Sequence, residues 1–224
     1  MRSRGRGERA GLAAAEVVAA ARELARRGGI EAVSMRRLAD QLGVTANALY
    51  TYFPDKSSLL DALLDDLLGG IEAPRSSGGW REPLVAILRE TRRVLLAHRD
   101  LIPLYLARPG RGANAMRLGD AMLESLARAG LRGRAAADAL RILLIFTLGF
   151  AAHEAPRRSD PAGATRIRAS EAAFRRAEHL PRMRELAGEL ASHPDDETFE
   201  LGLRWLLDGI AGDVPRPRPA RARR

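Results

Sequence analysis

Apolar residues recur at helical spacing along most of the chain, and no stretch shows the strict alternation of a half-buried strand. Val17, Ala21, Leu24 and Ala25 share one face of a helix predicted from Leu12 to Arg27, and Gly28 and Gly29 end it. Ile30 and Val33 are placed to plug the step to the next element. Ser34 is a candidate N-cap for a second helix closing at Leu42, and Thr45 for a third covering Ala46 to Tyr52. Asp55 caps a fourth, to Leu68, whose apolar face is Leu59, Leu60, Leu63, Leu64 and Leu67. Trp80 to His98 follows as a long amphipathic helix with Leu84, Ile87, Leu88, Thr91, Leu95 and His98 along its inner stripe. The remaining periodic segments are Asp100–Ala107 (interrupted by Pro103), Ala113–Arg128, Ala135–Glu154, Ile167–Glu178, Pro181–Ala191 and Asp195–Ala211. The fold class is all-α: a three-helix head, a linking helix and a larger helical body.

The stretch from Ser34 to Lys56 organises the rest. Gly43 allows the left-handed conformation that turns one helix steeply into the next. Ala39, four residues earlier, is small enough for a close crossing, and Leu49 fills the angle between the helices. Two short helices with a Gly-containing turn describe a helix-turn-helix. Its second helix presents Thr45, Asn47, Tyr50, Thr51 and Tyr52, hydroxyls and an amide with no acid among them, which suits a DNA groove. Arg36 and Lys56 are placed to grip phosphate, and Tyr50 and Tyr52 to reach the backbone edge. Thr45, Ala46, Asn47 and Thr51 would face bases, since Asn can pair bidentately with adenine and Ala or Thr methyls can touch thymine. Lys56 also lies in the first turn of its helix, where a helix N-terminus favours an anion.

Punctuation divides the chain. Gly69 to Gly79, with Pro74 and paired glycines, separates a DNA-binding unit, residues 1–68, from a body, residues 80–212. Residues 1–10 form a basic arm, read either as a DNA contact or as an unstructured end, and residues 213–224 form a basic, Pro-rich tail read as disordered. The segment Pro156–Thr165 is polar and reads as a loop.

Charge strengthens the nucleic-acid reading. The 224 residues carry a formal net charge of +9, and Lys56 is the only lysine among the 37 basic residues. Arginine suits phosphate, although GC-rich coding would produce the same bias. Cysteine is absent, which removes disulfides and Cys-based zinc sites. No secretory signal is expected, and the most apolar run, Ile142 to Ala152, is about half the roughly 20 residues a spanning helix needs, so a cytoplasmic protein without a membrane partner is expected.

The stretch GVTANALYTYFPDKSSLLDAL resembles the DNA-binding segment of the TetR family of one-component transcriptional repressors. LLAHRD at 95–100, ARPG at 107–110, LLIFTLGFAAHE at 143–154 and FELGLRWLLDGI at 199–210 are similar, in the same order, to the body of the tetracycline-repressor subgroup. The resemblance implies a homodimer on a palindromic operator, released by a small-molecule effector. It makes the tyrosine and lysine positions typical DNA contacts, with 46, 47 and 51 varying by operator. It implies an effector pocket involving Ile87, Thr91, Leu95, Leu104, Tyr105, Phe150 and His153, and a dimer bundle involving Leu144, Phe199, Leu203, Leu206, Leu207 and Ile210. The subgroup holds drug-bound magnesium with a histidine in the short helix before the Arg-Pro turn. Here DLIPLYLARP has Leu104 and Tyr105 at that point, which implies a less polar, metal-free effector rather than tetracycline–magnesium.

Two other readings use the same residues. Asp61, Asp65 and Asp66, or Glu154, could serve a metal-dependent all-α enzyme, but no nucleophile, base and orienting group share a catalytic spacing. The aspartates otherwise read as a solvated helix face. A helical RNA-binding or structural dimer is the third reading. His153–Glu154 is either a pocket pair or an exposed pair closing a helix; His98 is expected to pack and bond Asp100, and His179 and His193 to lie in loops. No metal or cofactor is assigned.

Overall fold

The computed structural model describes residues 12–74, 78–108, 110, 112–155, 162–192 and 194–213. The basic arm, most of the tail, His193 and most of the Pro156–Thr165 loop lie outside these residues. Among the described residues there are twelve α-helices, two 3-10 turns and no strand.

The head is α1 (Ala14–Gly28), α2 (Met35–Leu42) and α3 (Ala46–Tyr50), and α4 (Lys56–Leu68) runs from it into the body. The body comprises α5 (Arg81–Ala97), α6 (Ile102–Ala107), α7 (Ala113–Arg128), α8 (Gly133–Glu154), α9 (Gly163–Arg176), α10 (Pro181–Glu185), α11 (Ala187–Ala191) and α12 (Asp196–Asp213). In the head, α1 packs on α2 and α4 around Val17, Ala21, Val33, Leu38 and Leu49, each fully or almost fully buried. Leu59, Leu63 and Leu67 continue that core along α4, and α4 in turn packs on α7 and α5. One apolar core thus runs from the head into the body, and α4 is the element common to both.

Several boundaries differ from the sequence expectation. Pro103 does not interrupt α6; it sits in its first turn, where the missing N–H costs nothing, after a 3-10 turn at Arg99–Leu101. The third helix stops at Tyr50, with Thr51 and Tyr52 in the turn that follows. The helix predicted at 167–178 is shifted to 163–176, and the one at 181–191 is split at Leu186.

The most apolar helix starts at Gly133, recruiting the alanines before Leu140. At 22 residues, with an 18-residue window of mean hydropathy 1.8, it is long and apolar enough, by length and composition, to cross a membrane, unlike the shorter run 142–152 taken alone. Here it lies against α5, α7 and α12.

Three residues expected at a dimer face are instead in the protomer's own core. Phe199, Leu203 and Leu207 are buried, because α12 turns that face onto α8, where Phe199 stacks on Phe146 at 5.4 Å and meets Phe150 edge-on at 5.3 Å. Gly202 permits the approach: a Cβ there would lie 2.7 Å from the Phe146 ring. The outward face of the same two helices carries Ile142, Ile145 (62% exposed) and Trp205 (66% exposed), with half-buried Leu206 and Ile210 beside them.

Candidate nucleic-acid interface and the cavity behind it

The head is built by its caps. Ser34 Oγ accepts from Arg37 N at 3.2 Å, and Thr45 Oγ1 from Ala48 N at 3.3 Å. Gly43 is left-handed at φ 68°, ψ 31°, and its neighbour Val44 donates to Ala39 O at 3.0 Å, so the turn is closed by backbone bonds. Buried Ala39 and Leu49 set the crossing of α2 and α3. Asp55 caps α4 by accepting from Ser58 N at 2.7 Å while Ser58 Oγ accepts from Asp55 N at 3.3 Å.

This scaffold leaves a polar face open. Arg36, Thr45, Asn47, Tyr50, Thr51 and Lys56 are exposed, and Ala46 is half-buried. Tyr50 is 46% exposed although it belongs to the same five-residue helix as fully buried Leu49. Tyr52 departs from the expected display. Its phenol donates to the Leu12 carbonyl and braces the start of α1, because the turn after Tyr50 swings it back across the head.

Behind the head, a cavity of about 370 Å³ opens in the body. Leu68 of α4, Ile87 and Thr91 of α5, and Tyr105 and Leu106 of α6 form one side. Arg108, just after α6, Leu118 and Met122 of α7, and Leu144 and Leu148 of α8 close the other. Burial, and secondarily the nearby Asp65 carboxylate, push the Tyr105 phenol up to about 12, so it is un-ionised at neutral pH.

Of the seven effector candidates, Ile87, Thr91 and Tyr105 reach this wall. Leu95 lies a turn beyond Thr91 and packs with Ile102, Ala151 and Ala155 in a separate small core. Leu104 faces the main core. Phe150 belongs to the aromatic cluster on Phe199, and His153 lines a different cleft with Arg166 and Phe174. Leu144, expected at the dimer face, is on the cavity wall. Arg108 and Met122 were missed, because only the packing of α6 and α7 decides which of their residues face inward.

The four acidic residues of the metal-enzyme reading, Asp61, Asp65, Asp66 and Glu154, all have partners. Asp61 accepts from Arg108 Nη1 at 2.7 Å, which also donates to Ser57 Oγ at 2.7 Å. Asp65 caps α7 from a different helix, accepting from Asn114 N at 3.1 Å and Ala115 N at 2.9 Å. Gly112 makes room for it, since a Cβ there would fall 2.1 Å from the Asp65 carboxyl carbon. Asp66 pairs with Arg22 of α1. The solvated-face reading holds for exposed Asp61 and is corrected for half-buried Asp65 and Asp66, and all three tie α4 to another part of the chain. Glu154 is no exposed end residue either. It is buried, accepting from Arg92 Nε at 2.9 Å and Nη2 at 2.7 Å. His98 is half-buried, its pKa lowered by that burial and by the Arg22 guanidinium, and among the described residues its side chain makes no bond to Asp100. His179 lies exposed in a turn.

A capped helix-turn-helix with a polar outer face, joined by one helix to a body with an apolar cavity, defines the class of DNA-binding regulators that also sense small molecules. Residues 17–63 match the family model of bacterial regulatory proteins of the tetR family, and residues 73–214 match the tetracyclin repressor-like C-terminal domain. The chain belongs to the TetR family of transcriptional regulators. It is 34% identical over 201 residues to the tetracycline repressor protein class A from transposon 1721 of Escherichia coli, covering 87% of this chain and 88% of that one. The crystal structure of Streptomyces coelicolor ActR in complex with actinorhodin superimposes with a TM-score of 0.85 at 30% identity, covering 92% of this chain and all of that one. BioQ with its double-stranded DNA operator superimposes at 0.65 with 27% identity, covering 90% of this chain and 99% of that one. The family consists of regulators, which sets aside the enzyme reading of the aspartates.

Proposed function

We propose that the protein is a cytoplasmic repressor that binds a palindromic operator as a homodimer and leaves it when a small molecule enters the body cavity. The exposed polar face of α3 beside Lys56, on a head rigidly joined to that cavity by α4, carries the reading. Residues 12–68 act as the reading head and 80–212 as the sensing and pairing body. Lys56 and Arg36 neutralise phosphate, Tyr50 bonds the backbone edge, and Thr45, Ala46, Asn47 and Thr51 meet bases. Tyr52 contributes by holding α1 against the turn. The apolar strip of Ile142, Ile145 and Trp205, with Leu206 and Ile210, is the surface a second copy would cover, and it supports pairing through α8 and α12. Two paired heads would meet successive major grooves about 34–36 Å apart. The effector is an organic molecule bound without metal; BioQ bound to DNA and ActR bound to actinorhodin support the two halves of the cycle.

Fluorescence anisotropy with DNA from beside the protein's own gene tests this. Affinity should fall steeply with salt, and Tyr50→Ala and Lys56→Ala should each weaken it without changing the far-UV circular dichroism. Unchanged binding in both variants refutes the assignment of the head, and a monomer at all concentrations in light scattering refutes the pairing.

A further inference from the structure

We propose that the body cavity takes an apolar molecule bearing an acidic group, and that this acid competes with α4 for Arg108. The proposal deepens the repressor reading by naming the effector's chemistry and the bond it breaks. Arg108 is the only charged side chain on the cavity wall among the described residues, and the hydroxyls there, on Thr91 and Tyr105, are neutral donors; the rest is apolar or glycine. Such a wall is complementary to an anion on a hydrophobic skeleton.

Arg108 is also committed elsewhere. Through Nη1 alone it holds Ser57 Oγ and Asp61 Oδ1, both at 2.7 Å, in the first turns of α4. Ser57 is the neighbour of Lys56, so this clamp fixes the end of α4 nearest the DNA face. The Nε–Nη2 edge of the fork makes no bond among the described residues, and a carboxylate can take that edge bidentately. The existing pair is weakened by water, as Asp61 is 57% exposed. A carboxylate taking that edge from inside the cavity recovers its desolvation cost through a bidentate contact in weakly screened surroundings, and it draws the guanidinium away from the solvated Asp61. Arg108 then turns inward, and the start of α4 loses its tie to the body.

The test uses the full-length protein and two probes with one skeleton, 2-naphthoate and the uncharged 2-naphthamide, titrated calorimetrically into wild type, Arg108→Gln and Asp61→Asn. Wild type should bind the acid at least about tenfold more tightly than the amide, the scale of one charge-assisted contact. Arg108→Gln should lose that preference while keeping the amide's affinity. Asp61→Asn should bind the acid more tightly and, without ligand, bind operator DNA more weakly. Equal affinity for acid and amide, a preference that survives Arg108→Gln, or no binding of either probe overturns the proposal, and so does unchanged operator affinity in Asp61→Asn. Wild type that binds DNA but shows no acid preference defeats this inference alone. A retained acid preference in a protein that binds no DNA upholds the site and defeats the repressor reading.

Discussion

The ion pair between Arg92 and Glu154 gives the sharpest stability prediction. Arg92 of α5 and Glu154 of α8 have side chains only 10% and 5% exposed, joined by bonds of 2.9 and 2.7 Å. The guanidinium lies 4.6 Å from the Phe199 ring centroid and 5.4 Å from that of Phe150, so one cation organises α5, α8 and α12. Arg92→Met keeps the apolar stem of the side chain but leaves a desolvated carboxylate without its guanidinium. Breaking a buried pair in this way costs about 3–5 kcal/mol. Glu154→Gln should cost less, about 2–3 kcal/mol, because Asp196 still accepts from Arg92 Nη2 at 2.6 Å, from a position 75% exposed and therefore well solvated. The double variant Arg92→Met, Glu154→Gln removes both charges and should cost less than the two singles together, leaving a coupling of about 2 kcal/mol or more. Urea unfolding followed by circular dichroism, at one fixed protein concentration because pairing would shift the midpoint, measures all three. Single variants each costing under about 1 kcal/mol, or a double variant equal to the sum of the singles, would show that the pair is a passive contact.

Other outcomes follow from the turns, caps and titrating groups. Gly43→Ala meets no steric neighbour but must hold φ at +68°, so it should lose about 1–2 kcal/mol in thermal or urea unfolding, with reduced operator affinity as α3 tilts. Asp65→Ala removes the cap of α7 and should lower stability by about 1–2 kcal/mol; Gly112→Ala, which displaces the same carboxylate, should add little to it in the double variant. Tyr105 ionises at about 12 in the folded protein against about 10 when unfolded, so its contribution is intact below pH 10 and is lost as pH rises toward 12. Tyr105→Phe should therefore flatten the fall of unfolding free energy between about pH 10 and 12, and identical slopes for the two proteins would contradict the burial of that phenol.

Much of the head was readable because its local chemistry is self-sufficient. Ser34, Gly43, Thr45 and Asp55 act through bonds to residues within four positions, so spacing alone locates them. The body was readable as helices but not as faces. Phe199 and Trp205 lie on one apolar helix, and nothing in the periodicity says which of them meets Phe146 and which meets solvent. The partners of Asp61, Asp65 and Glu154 lie 47 to 62 residues away, beyond any local pattern, which is why those acids read as solvated or terminal. The cavity was partly legible through Ile87, Thr91 and Tyr105, whereas Arg108 is placed there by long-range bonds from the turn after α6 to Ser57 and Asp61, which no local pattern encodes.

Lys56 is the only lysine in the chain and stands exposed at the start of α4. Apart from any free α-amino group, amine-directed reagents therefore address one side chain, and it is the one proposed to face the operator. A succinimidyl dye placed there would report operator occupancy directly, while coupling the protein to a sensor surface through the same amine would blind it to DNA.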